Sequence, residues 1–318
     1  ILNLSFLIPT KNRPNDLEAN IIAIGQLDFK GMDYEIIILD DGSTIDYSPV
    51  IERYKFVTYH KNKFSKGISS VRNDLARFAN GKYLIFLDDD VQVDKNLDLS
   101  VLSELFESNN KLALIAFNIT AIIQFDHTVN NDSKTITVNQ KSLKQIPFKK
   151  YQLYFDASIS KNVNYISYFI GAAFACKKSL FNNNIQFDEL FLWGNEELDF
   201  SFNIIKNNYE MIFHPEFKAT HFPKKSVIIS DVNNFNSFNL FIANRILTAY
   251  KNLPLVYSFS YIFIWTCYYF ILSVLKFRFK DWIYGIKLGI QKSKKSKRSP
   301  LTKSQICYLK NNYGRTYY

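Results

Sequence analysis

Tyr83-Leu84-Ile85-Phe86-Leu87-Asp88-Asp89-Asp90 is the stretch on which the fold turns: five consecutive apolar or aromatic residues, then three carboxylates. A short unbroken apolar run reads as a strand buried on both faces, as strands of parallel sheets are. Three adjacent acids repel one another unless a cation or a basic group compensates them. Oxygen donors of this kind suit Mg²⁺ or Mn²⁺, which share their coordination with substrate phosphates and water. A solvated turn leading into a helix cap accounts for the bare triplet equally well.

The pattern repeats upstream. Leu4–Ile8 reads as an apolar strand closed by Pro9, and Leu17, Ile21 and Ile24 give residues 16–27 a helical period. Tyr34–Leu39 is a second strand ending in Asp40-Asp41-Gly42-Ser43, which taken alone is also an ordinary turn sequence. A third strand at Phe56–Tyr59 and a helix over Ile68–Ala79 lead to the opening stretch. Buried strands alternating with helices predict a doubly wound α/β sheet, whose ligands bind beyond the carboxyl ends of the strands. Polar clusters follow three of these strands.

Downstream, residues 126–150 are polar and aperiodic and read as an excursion. Order resumes over Tyr165–Cys176, and Phe187–Asn203 reads as a turn entering a helix. Glu196, Glu197 and Asp199 open that helix, where acids are favoured by the macrodipole. A carboxylate there is also a candidate general base for a hydroxyl.

The order of these blocks resembles the family 2 glycosyltransferases of GT-A fold. Ile8-Pro9-Thr10-Lys11-Asn12-Arg13 is similar to the family's first strand and loop, and residues 35–43 (EIIILDDGS) to its second strand and nucleotide-binding turn. Lys66-Gly67 with Arg72-Asn73 resembles its Gly-x-x-x-x-Arg-Asn segment, and Asp88-Asp89-Asp90 its Asp-x-Asp. Gly171-Ala172-Ala173, Phe187-Asp188-Glu189 and Trp193-Gly194-Asn195-Glu196-Glu197 resemble the acceptor-side blocks, so the likeness runs over residues 3–225. It implies a Rossmann-like mixed sheet flanked by helices, divided into a nucleotide-sugar half (1–95) and an acceptor half (96–225).

The resemblance also implies roles. Pro9, Thr10 and Arg13 would line the nucleotide, Asp41 would accept from its base, and Arg72 would lie near its phosphates. Asp89 would contact the ribose or phosphate region, while Asp88 and Asp90, with His221, would hold Mn²⁺ or Mg²⁺ on the diphosphate. Glu197, beside Glu196, stands where the family has its catalytic Asp. It would deprotonate an acceptor hydroxyl in a single inverting displacement, with Gly171 and Trp193 on the acceptor side. His214, before Pro215, reads instead as a packing residue at a strand end. Asn203 departs from the Arg common in the family, the one feature that favours a non-catalytic nucleotide- or glycan-binding partner. The absence of a Gln-x-x-Arg-Trp block favours single transfer over polymerisation.

Charge adds a partner. Of the net +10, +9 falls between Lys276 and Lys303, after a boundary placed near Pro223. A nucleic-acid binder spreads its basic stripe over the folded body, so no nucleic-acid partner is expected. Residues 255–275 carry no charge and are just long enough to span a bilayer. Both the catalytic body and the basic tail belong on the cytoplasmic side, which a single span does not allow. The expectation is therefore a helical extension over 226–318 that lies on an anionic membrane at the cytoplasmic face, near a glycan or lipid-linked glycan acceptor. A helix packed on the catalytic body or in a dimer seam remains the alternative. Three scattered cysteines and no secretory leader point to a reducing compartment. The first residue, Ile1, is not Met, so a short native start is expected before it.

Overall fold

The computed structural model describes residues 3–124, 135–139, 143–144, 152–153, 162–223 and 235–312. The strands are β1 (Leu4–Thr10), β2 (Tyr34–Asp40), β3 (Val57–Lys61), β4 (Tyr83–Leu87), β5 (Val91–Val93), β6 (Leu112–Gln124), β7 (Thr135–Asn139), β8 (Leu143–Lys144), β9 (Gln152–Leu153), β10 (Asn164–Ile166), β11 (Ala173–Lys177) and β12 (Glu210–His221). The helices are α1 (Pro14–Gly25), α2 (Ser48–Ile51), α3 (Ile68–Phe78), α4 (Leu99–Ser108), α5 (Ser179–Asn182) and α6 (Glu196–Lys206), then α7 (Phe235–Asn252), α8 (Leu255–Leu275), α9 (Phe279–Lys295) and α10 (Lys303–Asn311).

The main sheet runs β10-β12-β6-β11-β4-β1-β2-β3. Its β4-β1-β2-β3 part is parallel throughout, as the apolar runs predict, whereas β11 enters antiparallel between β4 and β6. Both faces are covered. Along β1, Leu4, Phe6 and Ile8 join the cluster beneath α1 and α4, while Leu7 joins the cluster beneath α3, α6 and the C-terminal helices. The alternation in β4 is the same, with Tyr83, Ile85 and Leu87 on one side and Leu84 and Phe86 on the other.

Two expectations need correction. The excursion read over residues 126–150 lies mostly outside the described residues, but within it Thr135–Asn139 is a regular strand, antiparallel to β6. His214 lies within β12 rather than at its end, next to a register shift, with its ring stacked 4.1 Å from that of Phe217. The C-terminal helices, in turn, pack on the catalytic body, the arrangement held as the alternative. Phe238, Ile242, Tyr261, Trp265, Leu301 and Leu309 share one buried cluster with Leu198, Phe200 and the sheet. Gly285 and Gly289 let α9 settle against Ile242 and Ile246 of α7, since a Cβ at either would come within 2.9 Å of those side chains.

Candidate active site

The carboxyl ends of β1, β2 and β4, the start of α3, the turn into α6 and the end of β12 enclose one cleft of about 510 Å³. Every residue assigned from the sequence lines it except Gly171: Pro9, Thr10, Arg13, Asp41, Arg72, Asp88, Asp89, Asp90, Trp193, Glu196, Glu197 and His221. Gly171 stands just behind. A Cβ there would lie 2.5 Å from Glu197 Oε1 and 2.7 Å from Arg72 Nη2, so only glycine lets those two side chains occupy their places.

The strand-end acids are not a solvated turn, since Asp89 and Asp90 are buried. Asp89 accepts from Thr10 Oγ1 at 2.8 Å and from Arg13 Nη1 at 3.2 Å. Tyr47 fixes the loop behind them: its hydroxyl bonds Thr10 and accepts from the Arg13 amide, each at 2.8 Å. Asp90 is ion-paired to Arg13 and, at 3.1 Å, to His221 Nε2. Burial pushes the Asp90 carboxyl up, but His221 and Arg13 outweigh it and hold the group below the ordinary carboxylate value. For Asp89 the balance reverses: burial and the neighbouring Asp90 charge raise it to about 7 against the pull of Arg13 and Thr10. Burial lowers His221, yet its bond to Asp90 and the charges of Asp90 and Asp88 raise it overall.

On the opposite wall, Arg72 is buried and bridges the two acid groups. Its guanidinium reaches Asp88 and Glu196, both at 3.4 Å, and donates to Gly171 O at 3.0 Å. Burial raises both Glu196 and Glu197; Glu197's charge adds to the rise at Glu196, and Arg72 opposes it at both. Buried carboxyls shifted towards neutrality are suited to taking a proton from a hydroxyl. Glu196 Oε2 and Arg72 Nε are buried without a hydrogen-bond partner, polar capacity left over at the cleft wall. Trp193 is exposed at the rim, its ring 5.2 Å from that of Phe241.

Asp41 lies at the cleft edge with its oxygens already engaged. Oδ1 accepts from Asn62 Nδ2 at 3.0 Å and the Lys66 amide at 2.8 Å, and Oδ2 from Ser65 Oγ at 2.6 Å and the Gly67 amide at 3.1 Å. A carboxylate offers about four lone-pair sites, so here Asp41 shapes the loop ahead of α3. Burial opposes its ionisation, but these four bonds hold its pKa low. Asn203 is not among the residues lining the cleft, and its side chain donates to Gln186 O at 3.5 Å.

The sequence matches Glycosyl transferase family 2 over residues 5–181. The chain belongs to that family. It is 30% identical, over 61% of its length, to the GalNAc(5)-diNAcBac-PP-undecaprenol beta-1,3-glucosyltransferase of Campylobacter jejuni, and spans 57% of that relative's length. Staphylococcus aureus TarS 1–349 in complex with UDP-GlcNAc superposes with a TM-score of 0.58 at 17% identity, covering 92% of this chain and 81% of that one. GalNAc-T7 with UDP, GalNAc and Mn²⁺ superposes with a TM-score of 0.56 at 16% identity, over 70% of this chain and 43% of that one. At such identities the solved structures establish the GT-A-like fold of this family 2 chain.

Partners the sequence reading did not name come from the C-terminal helices. Lys251 reaches Asp188 at 2.6 Å and Asp199 at 2.7 Å, and Asn244 donates to the carbonyls of Trp193 and Gly194. Asn244, Thr248, Lys251 and Asn252 recur at helical spacing on a helix that also buries Phe238, Ile242, Ala243, Leu247 and Ala249. That spacing was the available signal.

Proposed function

We propose that this family 2 chain is an inverting glycosyltransferase that moves one sugar from a nucleotide diphosphate sugar, a UDP-sugar first, to a hydroxyl of a lipid-linked glycan. The observation that carries the reading is the single cleft in which strand-end acids 88–90 face helix-start acids 196–197. Glu197 takes the proton of the acceptor hydroxyl while that oxygen attacks the anomeric carbon. The bond to the diphosphate breaks with its electron pair leaving on the diphosphate, and one displacement inverts the centre. Arg72 holds Glu196 and the Gly171 carbonyl in register with Asp88.

The donors on the other wall fit a divalent cation in kind, since Asp88 and Asp90 offer carboxylate oxygens and His221 an imidazole. Among the described residues no group of three or more such donors forms a cage; in this proposal the diphosphate and water would complete the shell. A bound Mn²⁺ or Mg²⁺ would supply positive charge to the departing diphosphate. The Mn²⁺ in the GalNAc-T7 complex supports this reading, and the undecaprenol-linked substrate of the Campylobacter relative supports the acceptor class. Asn203, lying off the cleft, gives the non-catalytic alternative no support.

The same proposal places the chain on an anionic membrane at the cytoplasmic face. Helix α8 is long and apolar enough to cross a bilayer, but it buries Ser258, Tyr261, Trp265, Tyr269 and Ser273 against the protein. Its other face exposes Val256, Phe259, Phe263, Phe270 and Val274, and Phe277 beyond it is 98% exposed. Lys276, Lys280, Lys287, Lys294, Lys295, Lys297 and Lys303 are exposed nearby in the chain, a charge pattern suited to acidic headgroups.

Melting of the purified chain with UDP-, dTDP- and GDP-sugars, with and without Mn²⁺, tests the donor site. A metal-dependent rise with one nucleotide, lost in Asp90→Ala, is expected; a folded chain that shifts with none overturns the reading. Vesicle sedimentation tests the membrane: binding to anionic but not neutral vesicles, lost in Phe259→Ser/Phe263→Ser, is expected. Equal recovery of the variant and the parent chain in the pellet overturns it.

A further inference from the structure

The turn that delivers the catalytic carboxylates is strained, and its restraint comes from elsewhere in the fold. Gly194 has φ of 80° and Asn195 has φ of 70°, two successive left-handed residues, and Asn195 makes no side-chain cap to α6. A non-glycine residue in that region persists only where its surroundings over-determine it. Here the surroundings are helix α7. Asn244, fully buried, donates both amide hydrogens outward, to Trp193 O at 2.8 Å and Gly194 O at 2.7 Å. Its own oxygen accepts from Lys292 Nζ of α9 at 2.9 Å, which fixes which way the amide faces. One turn further along α7, Thr248 Oγ1 accepts from Asn195 Nδ2 at 3.3 Å.

We infer that Asn244, oriented by Lys292, is a positioning residue for Glu196 and Glu197: it holds the carbonyls of the turn so that both carboxylates enter the cleft. The inference rests on the glycosyltransferase reading for its kinetic consequence but not for its structural one. Lys292 is the only partner of the Asn244 oxygen among the described contacts, and it comes from within the basic segment otherwise assigned to the membrane. That lysine is buried, so it serves the site and not the headgroups. The C-terminal helices are thereby part of the catalytic unit.

Asn244→Asp separates positioning from packing. It keeps the volume and pairs with Lys292, but replaces two donors by lone pairs facing two carbonyls. The expected result is a fall in kcat of about 10- to 100-fold, as for misplacement of a reacting group by about an ångström, with donor KM and the nucleotide-induced melting shift unchanged. Lys292→Met should lower kcat by less, because the amide keeps its donors and loses only its orientation. Hydrogen exchange supplies the second readout: amides of residues 195–199 should lose protection in Asn244→Asp while those of β1 and β4 keep theirs. Parent-like kcat, or unchanged exchange at 195–199, overturns the inference. A parent chain without transferase activity overturns the glycosyltransferase reading alone, and the exchange measurement still decides the placement of the turn.

Discussion

Asp88–Asp90 and Glu196–Glu197 face one cleft, yet the first group is held by residues near it in the sheet and the second by helices that follow residue 235. Thr10, Lys11 and Arg13 hold Asp89 and Asp90 from the neighbouring parallel strand end. Glu196 and Glu197 start a helix whose entry turn is bound by Asn244 and whose first turn is bound through Asp199 to Lys251 and Asn252. A site at strand ends is thus built by the sheet itself, whereas a site on a helix entering from a turn needs an outside scaffold. The basic C-terminal segment contributes to that scaffold before it contributes to any surface.

The comparison breaks most sharply at the carboxylates. Glu197→Gln should lower kcat by about 10²- to 10⁴-fold, the usual worth of a positioned base, while nucleotide still raises the melting temperature. Asp90→Asn should abolish that nucleotide response together with turnover, because the proposed function puts Asp90 on the donor side. Retention of the response in Asp90→Asn and its loss in Glu197→Gln would exchange the two assignments.

Next in size is the scaffold. Lys251→Met removes the cation from Asp199, whose side chain is 0% exposed, and leaves a buried charge with Asn252 as its remaining partner. The expected loss is about 3–5 kcal/mol, read from the urea midpoint. Lys66→Met, where the lysine is exposed and Asp74 keeps Arg77 as a second cation, should cost about 0–1 kcal/mol. Equal losses would mean that α7 does not bear on α6 as described. Gly171→Ala follows: the added methyl displaces Glu197 and Arg72 together, at about 1–3 kcal/mol for overpacking, and turnover should fall more than donor affinity.

The β1–β4 half was legible for a physical reason. In β1, β2 and β4 each strand is an apolar run ended by polar residues, so fold and site are written in the same few positions. Helices α1 and α3 likewise carry their period in sequence, and the boundaries expected for them lie within two residues of those observed. The segment carrying Glu196 and Glu197 was legible only as a resemblance, because nothing local says that Glu196 is buried or that Arg72 reaches it across 124 positions. The scaffold was read only as the alternative of a helix packed on the catalytic body, with none of its contact residues named. Lys292 sits in a run of basic residues whose composition indicates a surface, and only the close packing of α9 on α7 through Gly285 and Gly289 turns that position inward.

The burial of Lys292 has a signature that needs no substrate. Its pKa is lowered from 10.5 to about 8, by burial first, with Asp188's charge offsetting part of the fall. Between pH 8 and 10.5 the unfolded chain keeps this proton while the folded chain gives it up. The unfolded state binds more protons there, so Lys292 makes folding more favourable as pH rises through that window. Lys206, lowered to about 8 by burial, acts in the same direction, and the buried tyrosines act oppositely at the upper end. Comparison with Lys292→Met cancels these shared contributions. The stability of the parent chain should therefore gain on that of the variant by about 1–3 kcal/mol between pH 8 and 10, measured as the difference in urea unfolding free energy at each pH. A difference that stays constant across the window would place Lys292 in water, and with it the orientation of Asn244 would lose its cause.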